Sequence, residues 1–508
     1  MVRWFVLVGL YISSRVFALT ALPMFLDERI YLRWAHWIAQ GRRLQVPFVA
    51  GKGLSVWALA AVTPGAADPL LAGRLLTVAV GILTLVAVHR VALRLTGDVR
   101  VADVAAVFYI ACPFTLFHDR MVLADPYLSA FTALTLLLAL RLADAPRPRD
   151  GVALGAAMAL GISAKVTGLP LLAVPLLVLL VMGGTRRAWV KPLALAYVVA
   201  VGLVAYPVWR FFSRRSGELS KLAGAGGDDS PLAAMVSANL ELALSWLWRY
   251  WTPGLALLAL AGLVVALRTS ALRRSALLLI LVALGPVAVF ASVSRVWFPR
   301  YVLFTTVPLV ILAALGFRAV LDAFQRRSPA SPSMGALRTA LLLALVLAPA
   351  LRFDAALWTD PSQAPLPDVD RFQYVTGWPS GYGSRDSVAF LRARRAERPE
   401  GLTLVTPGPS ITASAVRLLW ASDSGMEVRA VDPSAAVPAD AARPVYVVVS
   451  VAEGVHLPTH WTSQVTREFV SFKPDGAPAD ELYRVGPHTP AEPTHAVRQR
   501  PAAERPGD

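Results

Sequence analysis

The sequence predicts a polytopic α-helical membrane protein with a small α/β domain at its C-terminal end, and three observations lead there. Hydrophobic residues make up 56% of the 508-residue chain and charged ones only 16%, against an apolar share of about 45–50% in soluble proteins. Mean hydropathy is +0.56. The apolar residues gather in runs close to the roughly 20 residues a helix needs to cross the hydrocarbon, and after about residue 351 short strand-like and helix-like segments alternate instead.

Eleven candidate spans can be read along the chain, at about 4–23, 69–89, 101–117, 126–143, 151–164, 168–184, 191–212, 253–267, 275–293, 301–317 and 337–351. Short loops rich in Lys and Arg favour the cytoplasm. Assigning "HRVALRLTGDVR", "RLADAPRPRD", "TRRAWVK", "LRTSALRRS" and "FRAVLDAFQRRSPASPSMGALR" to that side puts the N-terminus inside and the C-terminus outside. Lys165 divides the stretch 151–184, and two short crossings keep both flanking basic clusters inside. Arg15 interrupts the first run and no clear A-x-A site follows, so that run reads as a retained span, not a cleaved signal peptide.

The expected organisation is therefore a transmembrane domain over 1–351, whose first outer loop is 24–68, and an extracytoplasmic α/β domain over 352–485. The Pro- and charge-rich 486–508 reads as a disordered tail. Within the α/β domain, "LTLVT", "MEVRAV" and "PVYVVVSV" read as strands, and "SRDSVAFLRARRAER" and "SITASAVRLLWAS" as helices. A net charge of +16 is scattered in small clusters between apolar runs, which suits loops facing anionic lipid and argues against a nucleic-acid partner. A lone cysteine, Cys112, excludes an intrachain disulfide and any multi-cysteine metal site.

One stretch of the first outer loop concentrates chemistry: "FLDERIYLRWAHWIAQG", Phe25 to Gly41. If a helix begins after Asp27, then Arg29, Arg33, His36, Gln40 and Arg43 share one face and Ile30, Tyr31, Trp34, Trp37 and Ile38 the other. That describes a helix lying in the membrane interface. Asp27 then stands at its start, as an N-cap, a reactive carboxylate or both, with Glu28 as a first-turn acid.

Other charges fall on the same side. "HDRMVLADP" brings His118, Asp119 and Asp125, where loop solvation and an Asp-Pro turn are the plain alternative. "AGKGLS" brings Lys52; Arg74, Lys165, Arg295 and Arg300 also lie at the outer boundary, where each alone would serve as a snorkelling anchor. Arg15 sits inside a span, at a cost of roughly 2.5–3.5 kcal/mol that calls for a polar partner.

In order along about 1–320, these marks resemble the integral-membrane glycosyltransferases of the GT-C class, especially bacterial relatives of protein O-mannosyltransferases and lipid A aminoarabinose transferases. Arg15 precedes "DERIYLRWAHWIAQG", which looks like the first-loop acidic motif. "DPLLAGRLLTVAVGILTLVAVHRVALRLTG" is similar to the second span with its early Arg74. "HDRMVLADPYLSAFTALTLLLALR" resembles the second-loop acid, "GVALGAAMALGISAKVTGLPLL" the small-residue hairpin with Lys165, and "FPRYVLFTTVPLVILAALG" the late span opening on a basic-Tyr pair. "AGKGLS" departs from the pattern, since the two prolines that follow the basic residue in relatives are absent here.

The resemblance implies the GT-C fold in a bacterial cell membrane, a sugar donor on a polyprenyl-phosphate carrier and a protein, lipid or glycan acceptor. It implies inverting transfer to the acceptor hydroxyl on the extracytoplasmic side. It further implies Asp27 as general base with Glu28 and Asp125 beside it, Arg15, Lys52, Arg74, Lys165 and Arg300 as candidates for the donor phosphate, and Asp119 and Tyr301 as acceptor-orienting groups. Asp27, Glu28, His118 and Asp119 would suit a divalent metal, whereas the abundance of cations suits a metal-free site. From another class, a polytopic transporter of an anionic or lipid-linked substrate is the alternative; transporters usually keep their polar groups near mid-membrane on broken helices.

Overall fold

The computed structural model describes residues 2–183, 186–213, 232–327, 331–420, 425–440 and 442–486. Each of the eleven apolar runs lies mostly in helix: Val2–Val16, Pro69–Thr96, Val99–Ala111, Asp125–Asp144, Pro148–Ala164, Val166–Ala173 with Val174–Met182, Arg186–Ser213, Leu232–Arg268, Arg273–Val293, Thr306–Arg327 and Pro332–Thr359, the first run leaving helix after Val16. Among the described residues, seven helices are long and apolar enough to cross a membrane by length and composition. The chain breaks at Lys165 as the sequence suggests: its backbone is extended (φ −154°, ψ 126°) between one helix and a 3-10 turn.

Small residues let these helices approach closely, as expected where apolar surface alone gives little drive to associate. A Cβ at Gly262 would land on the carbonyl oxygen of Leu312, and one at Gly316 on that of Leu258, so the helices Leu232–Arg268 and Thr306–Arg327 cross with their backbones in contact. The 37-residue helix Leu232–Arg268 contains one non-helical residue, Thr252 (φ 57°, ψ 155°). Pro253 follows it and disfavours the α region there, which accounts for the ψ but not for the positive φ. Between the runs 191–212 and 253–267, residues 232–252 are helix, whereas 214–231 and the tail from 487 onward lie outside the described residues.

The chain divides into two compact units, with the boundary between Tyr382 and Gly383. That differs from the boundary at 351/352 read from composition. The last long helix runs on to Thr359, and the segment after it stays in the first unit. Tyr374 there is buried, its ring 4.5 Å from Phe25 and 4.9 Å from Phe117 between centroids.

The second unit has a five-stranded sheet in the order β2-β1-β3-β5-β4. The strands are β1 Leu402–Thr406, β2 Met426–Ala430, β3 Val445–Val449, β4 Val465–Phe472 and β5 Pro478–Val485. β1 runs parallel to both β2 and β3, whereas β5 is antiparallel to β3 and β4. β1 and β3 are buried along their whole length, as continuous apolar runs covered on both faces require. One face packs Leu402, Leu404, Tyr446 and Val448 with Leu391 and Val416 of the helices Ser384–Ala396 and Ile411–Leu419. The other packs Val405, Val445, Val447 and Val449 with Trp461.

Candidate active site

The helix Leu26–Ala39 begins two residues earlier than the sequence suggests: its N-cap is Phe25, not Asp27. Glu28, three residues on, turns its carboxylate back to accept a hydrogen bond from the Phe25 N–H at 3.0 Å, which is the acidic half of a capping box. The buried stripe of this helix is Glu28, Arg29, Tyr31, Leu32, Ala35 and Ile38. Arg29 therefore leaves the basic face expected for it. Asp27, about 100° round the helix from Glu28, faces a cleft.

Arg300 meets it there from the 3-10 turn Pro299–Thr305. Its Nη2 donates to Asp27 Oδ2 at 2.9 Å, and its Nη1 donates to Gln373 Oε1 at 2.5 Å and to the Tyr374 hydroxyl at 3.2 Å. The guanidinium lies 4.7 Å from the Phe298 ring centre, a distance at which the ring face attracts a cation. A second pair sits beside this one: Lys165 Nζ donates to Asp125 Oδ1 at 2.6 Å and rests 3.9 Å from the Tyr301 ring centre. Burial pushes the Lys165 ammonium below its usual range, and Asp125 pulls it back.

Asp27, Lys52, Asp125, Lys165, Arg300 and Tyr301 line a single cleft with Tyr31, Gly51, Val166, Thr167 and Phe211. Gly51 explains how Lys52 reaches it. Its φ of +66° and the 2.8 Å that would separate a Cβ from Val166 Cγ1 both demand glycine, and its carbonyl accepts from the Val166 N–H at 2.8 Å. Two carboxylates and three cations leave the cleft with a positive excess suited to an anion. An open apolar groove of about 560 Å³ adjoins it, sharing Val166, Thr167 and Phe211 and extending along Leu169, Pro170, Leu177, Phe212, Pro286 and Phe290.

Four residues singled out from sequence lie elsewhere. Arg74 and Glu28 form a two-pronged pair, Nε to Oε1 at 2.9 Å and Nη2 to Oε2 at 2.7 Å. Glu28 Oε1 also accepts from the Val122 N–H at 2.9 Å, and Arg74 Nη1 donates to the Leu19 and Leu22 carbonyls at 2.8 Å each. Arg15 donates to the Ile110 and Tyr109 carbonyls, to Ser14 and to Thr115, with its Nε 3.8 Å from Asp119. Asp119 accepts from the Tyr11 and Tyr109 hydroxyls. Arg15, Arg74, Glu28 and Asp119 are all almost fully buried. Their polar atoms face one another and backbone groups, not the cleft.

The same geometry scatters the metal-ligand set considered from sequence, because Glu28 faces Arg74, Asp119 faces Arg15, and the His118 Nδ1 faces the Phe114 carbonyl at 3.0 Å. Among the described residues no three His, Cys, Asp or Glu side chains are grouped to hold a metal ion.

Sequence reasoning missed Asp370, Gln373 and Tyr374, which lie in a segment counted with the outer domain. Asp370 is buried, and its Oδ2 accepts from the Tyr250 hydroxyl at 2.5 Å. Burial pushes its carboxyl up to about 7, against the opposing pull of Tyr250 and Arg300. The available signal was "PDVDRFQYV" itself: acids among aromatics just past the last span.

The chain matches the family described as dolichyl-phosphate-mannose-protein mannosyltransferase over residues 54–211. Among curated proteins none matches it by sequence. In fold it is similar to ArnT from Cupriavidus metallidurans in the apo state, at 17% identity and a TM-score of 0.60, over 96% of this chain and 99% of that one. The same protein bound to undecaprenyl phosphate gives 17%, 0.59, 96% and 99%. The archaeal oligosaccharyltransferase AglB from Archaeoglobus fulgidus, in complex with an inhibitory peptide and a dolichol-phosphate, gives 12% and 0.52, over 94% of this chain and 73% of that one. The chain thus has the fold of the GT-C class, and with its long apolar helices it is a multi-pass integral membrane protein.

Proposed function

We propose that this chain is a membrane glycosyltransferase that moves a sugar from a polyprenyl-phosphate carrier to an acceptor hydroxyl on the extracytoplasmic side, with inversion. The observation that carries the reading is a cationic cleft adjoining an apolar groove. A ligand fitting both has a phosphate at one end and a long hydrocarbon at the other. ArnT has been seen with undecaprenyl phosphate and AglB with a dolichol-phosphate, two ligands of that description on the same fold.

In this reading Arg300, Lys165 and Lys52 receive the donor phosphate. Asp27 accepts the proton of the acceptor O–H as that oxygen bonds to the sugar C1, and the C1–O bond to phosphate breaks to release polyprenyl phosphate. A hydroxyl is a poor nucleophile near neutral pH, and a base within hydrogen-bond reach contributes typically 10²–10⁴-fold. The leaving phosphate needs charge stabilisation more than a proton, which preorganised cations in a water-poor site supply. The Asp27 carboxylate is engaged by Arg300 at 2.9 Å. A donor phosphate competes for that guanidinium and loosens the pair, which places donor binding before acceptor activation. Asp125 holds Lys165 in the cleft, and the Tyr301 ring supports the same ammonium.

Incubating the purified protein with radiolabelled polyprenyl-phosphate sugars and a membrane extract as acceptor should release polyprenyl phosphate and label an acceptor. Release that never exceeds a no-enzyme control across hexose and pentose donors would overturn the reading.

A further inference from the structure

The cleft owes its main cation to a segment outside the long helices. Arg300 comes from one turn, but both partners of its Nη1 come from the five residues Phe372–Thr376. Adjacent side chains on an ordinary helix diverge by about 100° and do not share a partner. Here the turn is π-helical, a rare widening that recurs at functional sites, and it brings Gln373 and Tyr374 onto the same nitrogen. Both residues are buried. The Tyr374 ring is wedged against Phe25, the N-cap of the helix that presents Asp27, so the same tyrosine touches the mounts of both the cation and the carboxylate.

A guanidinium has five N–H donors in a fixed fork. With the two on Nη1 directed to Gln373 and Tyr374 and one on Nη2 to Asp27, the Nε–H and the second Nη2–H remain for a ligand. Without the Nη1 partners the fork is free to turn and meet Asp27 with two parallel bonds, the favoured arrangement of an arginine and a carboxylate. That would bury the phosphate-binding edge and hold the base in its ion pair.

Resting on the donor reading above, we propose that Gln373 and Tyr374 are positioning residues that pin Arg300, keeping one edge of its guanidinium available to the donor phosphate while the other touches Asp27. Asp370 lies behind them, bonded to Tyr250, whose ring stacks on Phe114 at 4.6 Å, so the segment is anchored to the helix Leu232–Arg268 through groups of its own.

The test is binding of undecaprenyl phosphate to the full-length protein in lipid nanodiscs, measured on a double-mutant cycle. Arg300→Ala should weaken binding roughly 30- to 100-fold, and Gln373→Met or Tyr374→Phe each roughly 3- to 10-fold, the net worth of one hydrogen bond felt through Arg300. On the Arg300→Ala background, Gln373→Met and Tyr374→Phe should each add less than about twofold, because residues acting through one partner are non-additive. A penalty that persists undiminished on that background, or wild-type affinity in both single variants, overturns the proposal. Tyr374→Phe keeps the ring against Phe25 and Phe117 and decides the matter if Gln373→Met lowers the thermal midpoint. Failure of the wild-type protein to bind the lipid at all would instead bring down the donor reading, and this proposal with it.

Discussion

Asp27 and Glu28 are chain neighbours in the first turn of one helix, each within 2.9 Å of an arginine nitrogen. Glu28 has no exposed surface and holds Arg74, the Val122 N–H and the Phe25 N–H, joining the helix start, the second long helix and the loop before Asp125. Asp27 has a side chain 21% exposed, a contact with Arg300 at 2.9 Å, and a cleft in front of it. A carboxylate whose oxygens are all engaged in a dry site serves as a joint, since breaking the pair leaves a buried charge. One with an open side and a displaceable partner can exchange a proton. The same contrast separates Arg15 and Arg74, enclosed by carbonyls and acids, from Arg300 and Lys165, which face the cleft.

The sharpest way to break this comparison is to neutralise each acid in turn. Asp27→Asn should lower the transfer rate by about 10²–10⁴-fold with expression and thermal midpoint unchanged; full activity in that variant would remove Asp27 from the chemistry. Glu28→Ala should behave oppositely, destabilising the first unit by about 3–5 kcal/mol through the unpaired Arg74, read as a fall in folded yield and in the unfolding midpoint. Activity per folded molecule should change far less than in Asp27→Asn. A third variant, Asp370→Asn, extends the contrast to an acid that is buried without a cation bonded to it. Burial pushes its folded carboxyl up to about 7, from the ordinary value of 3.8. The folded chain therefore binds more protons than the unfolded one between those values, and stability from this group falls as pH rises through that window. Asp370→Asn should raise the unfolding midpoint at pH 8, by at most a few kcal/mol, and leave it unchanged near pH 4; an equal effect at both would show that the residue does not titrate there.

Much of the fold was legible because a membrane leaves few solutions. Runs of apolar residues near span length have to be helices, and most of each run is helical, with seven helices among the described residues long and apolar enough to cross. The break at Lys165 could be read for the same reason: a charge between two short runs interrupts them. β1, β2 and β3 showed as compact apolar strands, whereas β4 and β5 were missed because "VTREFVSF" and "PADELYRV" mix charges with apolar residues as an exposed hairpin does. Their turn signal, Pro474-Asp475-Gly476, was present. Of the site, Asp27, Asp125, Lys52, Lys165, Arg300 and Tyr301 were found and do line one cleft. Gln373 and Tyr374 were not, since neither residue type is unusual at its position and their partner lies more than 70 residues away.

The sequence by itself determined the helical class of the molecule, where its long helices run, the strands of the second unit's centre and the inventory of charges near the helix ends. These follow from composition and periodicity, which act locally. Only the tertiary structure decided which acid meets which cation. Asp27 with Arg300, Glu28 with Arg74, Asp119 with Arg15 and Asp125 with Lys165 are separated along the chain by 40 residues or more. An ion pair's meaning depends on its distance, its other bonds and its access to water, and those are properties of packing.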